Sequence, residues 1–126
     1  MNRRFCRHTL AATAIALSGL MLVSAPAHAG EIKRVMKLMK QDYNGAVNST
    51  SIAEMAPYVH KLQADVTTAS KLSLSGDQAT YNKGMQTLLQ QVGTVDHAVQ
   101  ANDLNAAKAA LKQINMTRHH YHDLLN

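Results

Sequence analysis

Tyr81, Met85, Leu88, Val92, Val95 and Val99 follow one another at alternating steps of four and three residues. That spacing puts six side chains on one stripe of an α-helix and excludes a strand, whose faces alternate at every second residue. The pattern recurs three more times, and no strand-like alternation persists anywhere. A first helix is expected over residues 31–48, with Ile32, Met36, Met39, Tyr43 and Val47 as its stripe, ended by Asn48, Ser49 and Thr50. A second, over residues 51–72, opens on "SIAE", in which the Ser51 hydroxyl caps the helix and Glu54 reaches back. Ile52, Met55, Val59, Leu62, Val66 and Ala69 form its stripe, and Pro57, lacking a backbone donor, predicts a kink or a late start. The third follows the "SGD" turn, and Asn102 and Asp103 supply its stop and the next N-cap. The fourth, over residues 104–125, carries Leu104, Ala107, Leu111, Ile114, Arg118, His122 and Leu125 on one side. Four amphipathic helices with short links predict an all-α fold, an antiparallel up-down-up-down four-helix bundle.

The N-terminus reads as an export signal. Arg3, Arg4 and Arg7 precede the apolar run "TLAATAIALSGLMLV", and Ala27 and Ala29 give the small-residue pattern of a signal peptidase site. Residues 1–29 are therefore expected to be removed, leaving a domain over residues 30–126 in the periplasm, with no membrane attachment after cleavage. The apolar run is short for a membrane span. Cys6, the sole cysteine, would leave with the signal, so the remaining chain has no disulfide and no thiolate ligand. Three arginines leave with it as well, and the ten remaining basic residues face eight acidic ones. A net charge of +2 gives no electrostatic case for nucleic acid. The acidic side chains are scattered and no nucleophile stands at a useful spacing from a base, which argues against an enzyme.

The segment "TRHHYH", residues 117–122, concentrates three of the seven histidines near the C-terminus. At about 100° per residue, His122 lies five full turns beyond Leu104 and about 20° from the direction of Leu111. His120 points nearly opposite and His119 sits on the flank. His122 is thus expected to be the inward one, where an imidazole needs a partner to replace its hydration. In the expected topology, the start of helix one, the start of helix three and the end of helix four share one end of the bundle. Met36, Tyr81, Met85 and His122 then meet at that end. A thioether facing an imidazole is the axial pair of an electron-transfer haem.

These residues carry a family resemblance. The stretch "AAKAALKQINMTRHHYH" resembles the last helix of the soluble cytochrome b562 family, which ends in Thr-Arg-x-x-Tyr-His. Its final histidine, a haem ligand in that family, falls on His122, and the family's methionine ligand falls on Met36 in "EIKRVMKLM". "YNKGM" is similar to the family's aromatic-x-x-Gly-aromatic segment, with Tyr81 and Gly84 in place and Met85 where a second ring stands. Arg118 matches the motif arginine, which implies either a partner for a haem propionate or a stem covering apolar surface. The resemblance implies a one-electron carrier that holds a single haem b without covalent links, acts as a monomer, and meets redox partner proteins of unknown identity. The absence of Cys-x-x-Cys-His agrees with non-covalent haem.

Two other readings of the residues remain open. Methionine and histidine in an exported chain also suit copper or zinc, with His119 and His122, or Met36 and Met39, as paired ligands. A haem-free bundle with a structural or partner-binding role would pack the same methionine and histidine as ordinary side chains.

Overall fold

The computed structural model describes residues 29–125. Most of the expected signal, residues 1–28, lies outside the described residues. Four helices follow in order: α1 (Ala29–Asn48), α2 (Ile52–Ala69), α3 (Gln78–Gln100) and α4 (Leu104–Leu125). They form the expected bundle. Each of α2, α3 and α4 starts on a side-chain cap. The Ser51 hydroxyl accepts from the Glu54 amide at 3.2 Å, Asp77 from the Thr80 amide at 2.9 Å, and Asp103 from the Ala106 amide at 2.9 Å. Glu54 does reach back, to the Thr50 amide at 2.8 Å, one residue before the cap. Asn102 makes the α3–α4 turn with a left-handed φ of 55°, a conformation asparagine tolerates better than most residues.

The late start expected from Pro57 does not occur: α2 begins at Ile52 and runs through the proline. Pro57 is exposed, so the carbonyl that it leaves without a helical donor lies on the side of the helix that water reaches.

The apolar stripes of α2 and α3 are the core as expected, with Met55, Val59, Leu62, Val66 and Ala69 facing Tyr81, Met85, Leu88, Val92, Val95 and Val99. Helix α1 departs from expectation. Ile32, Met36, Met39, Tyr43 and Val47 are only half-buried, and its most buried residues are Val35, Asp42 and Ala46, on a stripe turned toward α2. The cause is unequal packing. The α3–α4 and α1–α2 pairs are the most extensively packed, whereas α1 and α4 touch least of the neighbouring pairs. Gly45 explains the close α1–α2 approach, because a Cβ there would lie 2.4 Å from the Tyr58 ring. Half of the α1 stripe therefore faces a thinly filled seam.

Asp42 and Asp65 bring two carboxyl groups together across the α1–α2 interface, Asp42 being 9 % exposed. One Asp65 oxygen is buried with no donor from the protein. A proton on Asp65 gives its carboxyl a donor to offer Asp42. Burial, then the hydrogen bond and the negative charge of Asp42, raise the Asp65 pKa to about 6, against a smaller opposing pull from Arg34. The folded state thus holds this proton more tightly than the unfolded chain does. Its stabilising contribution is complete below the unfolded value of 3.8 and is lost as pH rises through about 6. Asp65→Asn, whose amide donates to Asp42 at every pH, should be more stable than the wild type at pH 7 and should flatten the wild-type fall in stability across this window. Urea denaturation at both ends of the window measures the difference.

Candidate functional site

Two contacts fix how α1 and α4 run beside each other. The Tyr43 hydroxyl donates to the Leu111 carbonyl at 3.1 Å, and the Lys108 ammonium donates to the Val47 carbonyl. This antiparallel register sets Met36 level with residues 118–119 of α4, and His122 level with residues 32–33 of α1. The two are thus offset by about one turn, roughly 6 Å along the axis.

Direction follows from the same contacts. Met36 precedes Tyr43 by seven residues, so it points within about 20° of a side chain that demonstrably reaches α4. On α4, Lys108 reaches α1 from one side of the Leu111 direction. From the other side, the Thr117 hydroxyl accepts from Gln91 of α3 at 2.8 Å. His122 lies between the core direction and the α1 side. Met36 and His122 are therefore directed toward the same seam from opposite helices, at the end nearer the α1 N-terminus. Met36 is half-buried and packs against the core.

The expectation that His122 points inward needs correction: it is exposed, on the last turn of α4. Of the α1 residues level with it, Ile32 is half-buried and Lys33 exposed. The inward line of α4 instead drifts toward α3, through Ile114, Thr117, Tyr121 and Leu125. His120 is exposed as expected, its ring edge-on to Tyr121 with centroids 5.0 Å apart.

The remaining expected residues divide. Tyr81 is 1 % exposed, and its hydroxyl donates to the Ala69 carbonyl at 2.7 Å, satisfying a carbonyl at the open end of α2. Its ring faces the core while its polar end is already occupied, and burial raises its pKa. Met85 is buried in the core. Arg118 is exposed, donates to the Asn115 side chain at 3.0 Å and lies 3.4 Å from His119. Burial raises the Tyr43 pKa, and the positive charge of Arg118 on α4 opposes that rise.

Two residues were not expected from the sequence. Tyr43 latches the seam. Tyr121, adjacent to His122, lies on Gly84, where a Cβ would come within 2.9 Å of the ring. The Gly84 in "YNKGM" was the signal for a close approach, but nothing in the sequence named the ring it admits. Two shallow depressions lie away from this seam. One is lined by Gln91, Thr94, Ala110 and Gln113, the other by Ser70, Asn82, Gln86 and Leu89. Among the described residues no three His, Cys, Asp or Glu side chains gather as a metal site, and no helix is long and apolar enough to cross a membrane.

Gly84→Ala tests the Tyr121 contact. Overpacking costs about 1–3 kcal/mol, offset by about 1 kcal/mol of helix propensity, so a net loss of up to about 2 kcal/mol is expected. In a Tyr121→Ala background the same substitution should become neutral or stabilising, as read by a denaturant double-mutant cycle.

Comparison with known proteins agrees with the four-helix fold. A search of curated proteins finds no match. The family model described as cytochrome b562 matches residues 31–126, which takes in all four helices except the first two residues of α1. The chain belongs to the cytochrome b562 family.

Proposed function

We propose that this protein is a periplasmic one-electron carrier that binds a single, non-covalent haem b, with Met36 and His122 as axial ligands. What supports the reading is the helix register, which directs Met36 and His122 toward the seam between α1 and α4, the least extensively packed of the neighbouring helix pairs. The donor set fits the group: both are neutral ligands, and methionine with histidine is an established axial pair for electron-transfer iron. When bound, haem supplies a reversible exchange between ferric and ferrous iron. The protein's task is to hold both ligands, exclude water and leave no coordination position for a substrate.

Each chain residue has a definite part. Parting α1 from α4 makes room without dismantling the better packed α1–α2 and α3–α4 pairs. The Tyr81 ring and the Met85 side chain supply apolar surface on the α3 side, which disfavours the charged ferric state, as the thioether does. The exposed Arg118 guanidinium is placed to meet a propionate. An exposed His122 suits this role, since the imidazole gains its burial from the haem. A haem-free packing role would instead have buried it against apolar neighbours.

Haemin titration of the protein, followed by reduction, tests the assignment through the absorption spectrum. Wild type should show the sharp α and β bands of low-spin six-coordinate iron at one haem per chain. His122→Ala should abolish them and His120→Ala should not. Met36→Ala should leave high-spin or water-ligated iron and lower the reduction potential, whereas Met39→Ala should keep the six-coordinate spectrum. Equal effects of the two histidine variants would overturn His122 as the ligand.

A further inference from the structure

His60 on α2 and Asp96 on α3 face each other across the second inter-hairpin seam of the bundle. His60 Nε2 lies 3.4 Å from Asp96 Oδ1. The contact is close without being a hydrogen bond: Oδ1 is shielded from solvent and accepts none, although the residue's other oxygen accepts from Gln100 Nε2 at 2.6 Å. A buried carboxylate oxygen without a donor is costly to maintain, and something positively charged should satisfy it.

The geometry points to a divalent transition-metal ion, of the zinc class, held between His60 Nε2 and Asp96 Oδ1 as a clamp joining α2 to α3. Zinc bonds imidazole nitrogen and carboxylate oxygen at about 2.0–2.2 Å, so two ligands on one tetrahedral edge stand roughly 3.3–3.5 Å apart. The observed separation falls in that interval without any movement of the helices. Gln100 supplies the outer hydrogen bond that orients a metal-binding carboxylate. The His60 side chain is 66 % exposed, so the ion has access from solvent and waters complete its coordination. An imidazole with a carboxylate suits zinc, nickel or cupric ions, and offers magnesium or cuprous ion little. With two protein ligands the site is exchangeable, and its effect is to tie together two helices otherwise joined by the 70–77 connection. It lies on different residues and different helices from the haem ligands, and stands or falls independently of them.

Thermal unfolding of the protein with zinc chloride, followed by circular dichroism with and without haemin, tests the clamp. At zinc about ten-fold above its Kd the Tm should rise by roughly 5–10 °C in either form. The rise should vanish in His60→Ala and in Asp96→Asn, and persist in the His119→Ala/His120→Ala double variant. Magnesium chloride should produce no rise. His60 is exposed and Asp96 half-buried, and the helical spectra of both single variants report whether the fold is kept. No rise in the wild type, an undiminished rise in both His60→Ala and Asp96→Asn, or loss of the rise only in the double variant would each overturn the proposal. Since the readout contains no haem signal, failure here leaves the haem reading untouched, and failure of haem binding leaves the clamp testable.

Discussion

The seam between α1 and α4, the least packed of the neighbouring helix pairs, is held by two side-chain bonds in the C-terminal half of α1, and the candidate site lies along the same seam toward the α1 N-terminus. Tyr43 and Lys108 each donate across it to a backbone carbonyl, at Leu111 and Val47. Each such bond contributes about 0.5–1.5 kcal/mol, more where the donor is charged. Toward the α1 N-terminus, Ala29, Gly30 and Glu31 are exposed. A bundle latched at both ends would have no reason to admit a flat cofactor between its first and last helices. One latched at neither would not hold two ligands in register.

The rest of the packing concentrates that freedom in one place. Two glycines let an aromatic ring lie against a helix backbone, Tyr58 on Gly45 and Tyr121 on Gly84, and so draw α1 to α2 and α3 to α4. The result is two tight hairpins. Tyr81 then ties the start of α3 to the end of α2 through the Ala69 carbonyl, so the hairpins are joined on one side by a buried bond and on the other mainly by the latch. Motion that opens the α1–α4 seam leaves the Met55, Val59, Leu62 and Val66 core undisturbed. The segments that carry Met36 and His122 thereby border the least packed seam of the fold, where local opening is cheapest.

The helix pattern made the architecture legible because periodicity and caps act locally. The stripe of α3 is buried residue for residue, and Ser51, Asp77 and Asp103 cap where a serine or aspartate precedes an apolar run. What the pattern could not supply was the direction of the core relative to each helix. For α1 the apolar stripe and the buried stripe differ by about one residue, because Gly45 pulls the helix toward α2 and Asp42 is buried against Asp65. For α4 the angle placed His122 correctly relative to Leu111, but burial at a helix end depends on whether the neighbouring helix extends that far. The exposure of His122 was therefore not readable from its angle on the helix. The Asp42–Asp65 and His60–Asp96 pairs each join different helices, with no shared motif to mark them.

The most direct test of the central claim is a proton NMR spectrum of the reduced, haem-loaded protein. An axial methionine methyl lies over the haem face, where the ring current moves its resonance far upfield of every other methyl. The account predicts one such three-proton signal, absent in Met36→Leu and retained in Met39→Leu. A haem-loaded protein with no upfield methyl, or with one that survives Met36→Leu, would contradict the assignment of Met36 as the ligand facing His122.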